Sequence, residues 1–251
     1  MRKFVVISLG IVSAIMLSLV WAADQQVGVS ETSNGSLRVS ELDWDFGYAP
    51  KNTTVTHRYV LTNAGNKPLK IINVKPACGC TSAPLKKNDL QPGESTDLNV
   101  TFSTKSYSGK VMKTVNINTD DSANPVTMLK FSTDVGSAVP TLIFEPQDGY
   151  VLNFDTVMVG KKASLKLKLT NNDIQPINLK LIEVPPGLVD ARLKKEKLNI
   201  GDASELTVNL VNKDNSEGFF NKTVTMQVDG HVDYRVSLPV MGTLVNGNKK
   251  N

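Results

Sequence analysis

Cysteine is nearly absent from this 251-residue sequence: there are two, beside two histidines, two tryptophans and 6% aromatic residues in all. Zinc asks for four nitrogen or sulfur ligands, and only two histidines are there to supplement the cysteines. Signatures of catalysis are missing as well. There is no Gly-rich phosphate loop, no HExxH, no GxSxG and no DxDxDG loop. The acidic residues are scattered through turn-like stretches such as "LDWDF" and "NTDDS", where aspartate caps or bends a chain, so a paired-carboxylate site has no support. No basic patch with interleaved aromatics stands out, which counts against nucleic acid as a partner. No long window carries a convincing helical period.

Long apolar runs are also scarce. The single one, "FVVISLGIVSAIMLSLV" from Phe4 to Val20, follows the basic Arg2 and Lys3 and precedes the small residues Ala22 and Ala23. This is the order of a secretory signal peptide over residues 1–23. The run also stands at the lower limit of a spanning helix, so a membrane contact is expected only if the segment stays uncleaved. Either way the remainder is expected to be periplasmic or secreted. Losing the leader removes two basic residues and no acidic ones, leaving a net charge near +2. Residues 24–37 are polar and aperiodic and read as a flexible spacer; residues 246–251, "NGNKKN", read as a disordered tail.

The rest of the chain repeats itself. "LTNAGNKPLKI" at Leu61 to Ile71 matches "LTNNDIQPINL" at Leu169 to Leu179, and "LKKNDLQPGESTDLNVTF" matches "LKKEKLNIGDASELTVNL", both at an offset of 108. Phe46 of "DWDFG" falls on Phe154 of "LNFDT" at the same offset. After one inserted residue, "GKVMKTVNINTD" at Gly109 answers "GFFNKTVTMQVD" at Gly218. Within each unit the period is two: "ASLKLKL" sets Ala163, Leu165, Leu167 and Leu169 against Ser164, Lys166 and Lys168. Turn clusters such as "NAGNKP", "QPGES", "NDIQP" and "VDGH" separate the runs. The expected fold is all-β: two tandem immunoglobulin-like antiparallel sandwiches over residues 38–137 and 140–245, joined near Gly136 to Pro140.

The order "DFG", "LTNAGNKPLKI", "VKPACGCT", "LQPGESTDLNVTF", "SGKVMKTVNINTD" resembles an exported bacterial family of uncharacterised domains with a CGC signature. That family is related to the immunoglobulin-like domains of the abnormal-spindle and hydin group, to major sperm protein and to periplasmic pilus chaperones. The resemblance covers Leu42 to about Val135; the second unit follows the strand pattern without the CGC element. It implies a fold and an exported address, and no assigned activity.

The candidate site is "KPACGCTSAPL", which holds Cys78 and Cys80, with Pro76, Gly79 and Thr81 shaping the turn; a tight turn between two bonded sulfurs is expected to need the free dihedrals of Gly79. In an oxidising compartment the two cysteines are expected to pair, since the chain offers no other partner. So small a loop gains only about 1.5 kcal/mol from chain entropy. The pair therefore reads as a local structural corner, as a thiol-exchange or redox site, or as a grip for a soft metal such as copper(I). In the second unit "EVPPGLVDARL" makes the same corner with Pro185, Pro186 and Gly187, so the fold does not depend on the cysteines.

His57, aligned with Leu165, is expected on the inward face at the rim of the core; His231, in a turn, is expected to be solvated. "DSA" at Asp121 and "DTV" at Asp155 look like bacterial O-glycosylation acceptors, with Ser122 the more exposed. No cofactor is implied. The expected function is a non-catalytic binding or scaffold module whose partner is an envelope or extracellular protein. Two other classes stay open: a thiol redox or copper protein using Cys78 and Cys80, and a chaperone-like carrier, for which no paired Arg and Lys cleft is evident in the sequence.

Overall fold

The structure, a computed structural model, describes residues 32–34, 36–146 and 151–246. The expected signal peptide and the tail from residue 247 lie outside the described residues.

The alternating pattern gives strands, and the apolar side of each strand is the buried side. The first unit runs β1 (Thr32–Asn34), β2 (Leu37–Val39), β3 (Asp43–Ala49), β4 (Thr54–Asn63), β5 (Leu69–Pro76), β6 (Thr81–Ser82), β7 (Asp89–Leu90), β8 (Ser95–Ser103), β9 (Gly109–Thr119) and β10 (Val126–Val135). The second runs β11 (Leu142–Glu145), β12 (Leu152–Met158), β13 (Ala163–Asn171), β14 (Ile177–Glu183), β15 (Val189–Leu193), β16 (Lys197–Leu198), β17 (Ala203–Leu210), β18 (Gly218–Asp229) and β19 (Tyr234–Val245). Leu98, Val100 and Phe102 of β8 and Leu206, Val208 and Leu210 of β17 occupy equivalent places in two separate cores. Each such side chain contributes about 1.5–3 kcal/mol by leaving water.

One layer of the first sandwich has the order β1-β2-β4-β8-β6, and one layer of the second has β11-β13-β17-β15. The remaining layers of both units are joined into one ten-stranded sheet of order β16-β14-β18-β19-β3-β10-β9-β5-β7, with β12 also paired to β19. Strand β19 makes the join. Its later residues pair in parallel with β12, from Leu152↔Val240 onward, and ahead of these Val236 pairs with Tyr48 of β3.

The repeat holds at the level of single hydrogen bonds. Buried Asn63 donates from Nδ2 to the carbonyls of Lys67 (2.8 Å) and Leu90 (2.9 Å). Buried Asn171 donates to those of Gln175 (2.9 Å) and Leu198 (3.1 Å), the same positions displaced by 108. The equivalent strands β3 and β12 each carry a bulge, where β3 runs from Asp45 to Tyr48 against Ser132 to Asp134, and β12 runs from Asn153 to Thr156 against Met241 to Thr243. Gly47 (φ 62°) and Asp155 (φ 54°) hold the left-handed position in each.

Part of the expected spacer is strand, and residues 24–31 and 35 of it lie outside the described residues. Thr32–Asn34 pairs with Leu37–Val39, and Leu37 is buried in the first core. The Asn34-Gly35 dipeptide is a hairpin signal, but three-residue strands are too short for an alternating pattern to show.

Candidate functional site

The CGC corner follows β5 and leads into β6. Cys78 and Cys80 form a disulfide, with their Cα atoms 5.3 Å apart. The N–H of Ala77 donates to the Thr114 carbonyl (3.0 Å) and the N–H of Ser103 to the Cys80 carbonyl (2.9 Å), so both arms of the corner are tied to β9 and β8. The N–H of Thr81 closes the turn on the Cys78 carbonyl (3.2 Å), and its buried hydroxyl lies 3.6 and 3.8 Å from the two sulfurs. Pro76 ends β5 opposite Val115. Both cysteines are half-buried, and Cys80 packs on the first core.

Gly79 differs from expectation. A tight turn between bonded sulfurs was expected to need its conformational freedom, yet its φ lies outside the left-handed region and a Cβ there would meet no atom within 4 Å. Gly79 is exposed between the two half-buried cysteines.

His57 has a different setting from the one its alignment suggests. It does face inward, stacked on Trp44 (ring centroids 3.7 Å apart, planes 9° apart) with Tyr59 edge-on at 4.6 Å. It is also the centre of the junction between the units. Its Nε2 lies 2.9 Å from Glu41 Oε1, and its Nδ1 lies 2.9 Å from Glu183 Oε2 of the second unit. Glu183 uses its other oxygen to accept the Arg58 N–H (3.1 Å). Burial alone would push the imidazole pKa down; the hydrogen bonds and charges of Glu183, then Glu41, outweigh it and raise it. Both ring nitrogens are thus engaged by carboxylates rather than by the cysteines.

Around this centre the second unit covers the open edge of β4. Thr223 Oγ1 accepts the Thr56 N–H (2.8 Å), Ser237 donates to the Phe46 carbonyl (2.7 Å), and Arg235 donates to the Asp45 carbonyl (3.1 Å) with its guanidinium 4.7 Å over Trp44. Gly47 is needed here: a Cβ would stand 2.0 Å from the Arg235 carbonyl oxygen.

Beside the junction a cleft of about 300 Å³ brings together Arg58, Lys86 and Lys222, a grouping not legible in the sequence because the three come from β4, a loop and β18. Arg58 is paired with Asp97 at 2.8 Å, and the Lys222 pKa is lowered by burial and by the nearby Lys86 charge. His231 is half-exposed and lies 2.6 Å from Asp173, so it is paired rather than simply solvated. Ser122 is exposed in the turn between β9 and β10; Thr156, also exposed, sits in the β12 bulge paired with Thr243. Among the described residues no three His, Cys, Asp or Glu side chains are grouped so as to hold a metal ion.

The fold and junction define a tandem immunoglobulin-like β-sandwich protein with a bridged corner in its first unit. Residues 37–135 match the family described as "Protein of unknown function (DUF1573)", and the match stays within that unit. No curated protein matches. Among solved structures, a protein of unknown function from Porphyromonas gingivalis W83 aligns over 84% of this chain and 100% of its own, at 15% identity and a TM-score of 0.37. The ASH / PapD-like domain 7 of human CEP192 aligns over 45% of this chain and 92% of its own (9% identity, TM-score 0.35). The Pseudomonas aeruginosa CupB2 chaperone aligns over 80% and 98% (10% identity, TM-score 0.29).

Proposed function

We propose that the protein is an exported, non-catalytic binding module of the cell envelope that acts through protein–protein contacts. One observation carries the reading. The outer face of the first unit's sheet, formed by β9 and β10, exposes Met112 (70%), Val126 (45%) and Met128 (48%) on neighbouring strands. Large apolar side chains on an exposed sheet face, set here on either side of exposed Lys130, suit a protein contact surface. His57 is engaged on both ring nitrogens by carboxylates at the junction of the two units. The order of basic, apolar and small residues in the first 23 positions supports export.

The test is cross-linking and affinity capture of the native protein from an envelope extract, with the Met112→Glu, Met128→Glu double variant as control. The reading expects a partner, this chain itself included, that the wild type retains and the variant loses. Equal recovery with both would overturn it.

A second reading, thiol–disulfide exchange at Cys78 and Cys80, is favoured by the exposed Gly79 between two half-buried cysteines, a glycine that no left-handed φ and no close neighbour requires. Redox titration followed by alkylation and mass measurement decides it. A potential in the range of catalytic disulfides supports exchange; one as low as ordinary structural bridges sinks it.

A further inference from the structure

The cleft of about 300 Å³ beside the junction takes one wall from each unit. The first unit supplies Arg58 and Asn99, opposite each other on β4 and β8, and Lys86 from the loop after the cysteine corner. The second supplies Lys222 and Thr223 of β18, together with the corner at Pro185, Pro186 and Gly187 that stands where the first unit has its cysteines.

The charges inside are unevenly matched. Three acidic side chains border the cleft, and two of them are spent: Asp97 on Arg58 at 2.8 Å, and Glu183 on His57 and the Arg58 N–H. The third, Asp214, stands by Gly187 and has no ion pair among the described residues. Lys222 Nζ reaches only Asn99 Oδ1, at 3.4 Å, and neither Lys222 nor Lys86 has a carboxylate within ion-pair distance among the described residues. Burial first, and then the Lys86 charge, lower the Lys222 pKa against the pull of Glu183 and Asp97.

The duplication supplies a comparison. Lys113, the counterpart of Lys222 in the first unit, rests over the Tyr107 ring with Nζ 4.7 Å from its centroid. Lys222 shares its cleft with a second lysine instead. An ammonium group half removed from water beside a like charge costs stability, and an anion placed between the two offsets that cost. Neutral donors are at hand as well. Thr223 Oγ1 is taken as the acceptor of the Thr56 N–H, so its own proton is left to give, and neither that proton nor the Asn99 side-chain amide has an acceptor among the described residues.

We propose that this cleft binds a compact oxyanion, of the phosphate or dicarboxylate type, between Lys86 and Lys222, with N–H groups of Arg58 and Asn99 completing its shell. Because the cations come from both units, the bound anion adds a second tie across the junction beside the one made by His57 and Glu183. The site goes beyond the binding-module reading and does not depend on the methionine face.

The chain from Asp24, which keeps every described residue, is titrated by calorimetry with inorganic phosphate and, separately, with succinate. Chloride holds the ionic strength constant, so that general screening is the same throughout. Saturable binding is expected, with a melting temperature that rises as the probe is added. Lys222→Met should weaken binding by about tenfold or more, while the unliganded protein melts no lower than the wild type because a desolvated charge has gone. Lys86→Gln, at an exposed loop position, should weaken binding at an unchanged melting temperature, and it decides the matter if Lys222→Met folds poorly. Lys166→Gln, which alters the second unit's counterpart of Arg58 outside the cleft, should bind as the wild type does. Binding of phosphate without succinate assigns a phosphate-bearing ligand, and the reverse a carboxylate-bearing one. No saturable binding of either probe overturns the inference, as does binding that both cleft variants leave unchanged.

Discussion

His57 and Glu183 are 126 positions apart in the chain, and His57 Nδ1 lies 2.9 Å from Glu183 Oε2. The other oxygen of Glu183 takes the Arg58 N–H, so a single carboxylate satisfies an edge-strand amide and a buried ring at once. Removing one member of a buried, hydrogen-bonded pair leaves the other uncompensated, at a cost of about 3–5 kcal/mol. His57 keeps Glu41 on its other nitrogen, so Glu183→Ala is expected to lose about 2–3 kcal/mol, most of it from the unpaired Nδ1 and Arg58 N–H, and to separate the unfolding of the two cores in urea. A single transition within about 0.5 kcal/mol of the wild type would show that the tie is elsewhere.

The same residues set a pH dependence. The folded-state pKa of His57 is raised above its ordinary value of 6.5, so the contribution to stability is fully present below about 6.5 and is lost as pH rises through the raised value. The groups facing the ring are Glu41 and Glu183, with Tyr59 edge-on and Arg235 over Trp44. The Tyr59 phenol is held far above its usual range, by burial first and then by the Glu41 and Glu183 charges, so it stays neutral throughout this window. Stability measured from mildly acidic to mildly alkaline pH is expected to fall across neutrality. In His57→Leu, which copies Leu165 of the second unit, that slope should be gone; an unchanged slope refutes the assignment.

Asn63 and Asn171 allow a comparison of one interaction in two places. Each sends its side-chain N–H groups to carbonyls four and 27 residues on, and each accepts from a backbone N–H two residues on. Truncation leaves several buried groups unpaired at about 1–3 kcal/mol each, so Asn63→Ala and Asn171→Ala should each cost about 3 kcal/mol or more. Because the two cores are separate, hydrogen exchange should rise mainly in the unit that carries the change. Equal loss of protection in both units from either variant would mean that the asparagines act on the whole molecule.

Much of this architecture could be read from the chain because it is written twice. The "LTN" matches place the two buried asparagines, and the alternation in "DLNVTF" and "ELTVNL" names core residues that the structure buries. Aligning His57 with Leu165 correctly turned the ring inward. Its partner was not legible, since Glu183 reaches it only through the way one unit sits on the other, and no local pattern encodes that. "DFG" was visible as a motif, yet the need for glycine comes from the Arg235 carbonyl almost two hundred residues later. At the same place in the second unit, Asp155 keeps the left-handed backbone without glycine. The cysteines illustrate the opposite case: the bridge was expected from composition alone, while the role expected for Gly79 was not met.

The two glycines therefore give a paired prediction. Gly47→Ala places a Cβ 2.0 Å from a backbone oxygen that cannot rotate away, on a residue with φ of 62°. Left-handed backbone alone costs an alanine about 1–2 kcal/mol, and the clash forces β3 and β19 apart as well, so the total should reach about 3 kcal/mol or more. The damage is expected at the junction: enhanced proteolysis near Gly136 to Pro140 and loss of the His57-dependent pH slope, with both cores still folded. Gly79→Ala meets open space and should change stability by no more than about 0.5 kcal/mol. If it instead slows reduction of the Cys78–Cys80 bridge by a bulky thiol while leaving stability alone, the missing side chain serves access to the sulfurs; if reduction is unaffected, Gly79 has no part in their chemistry.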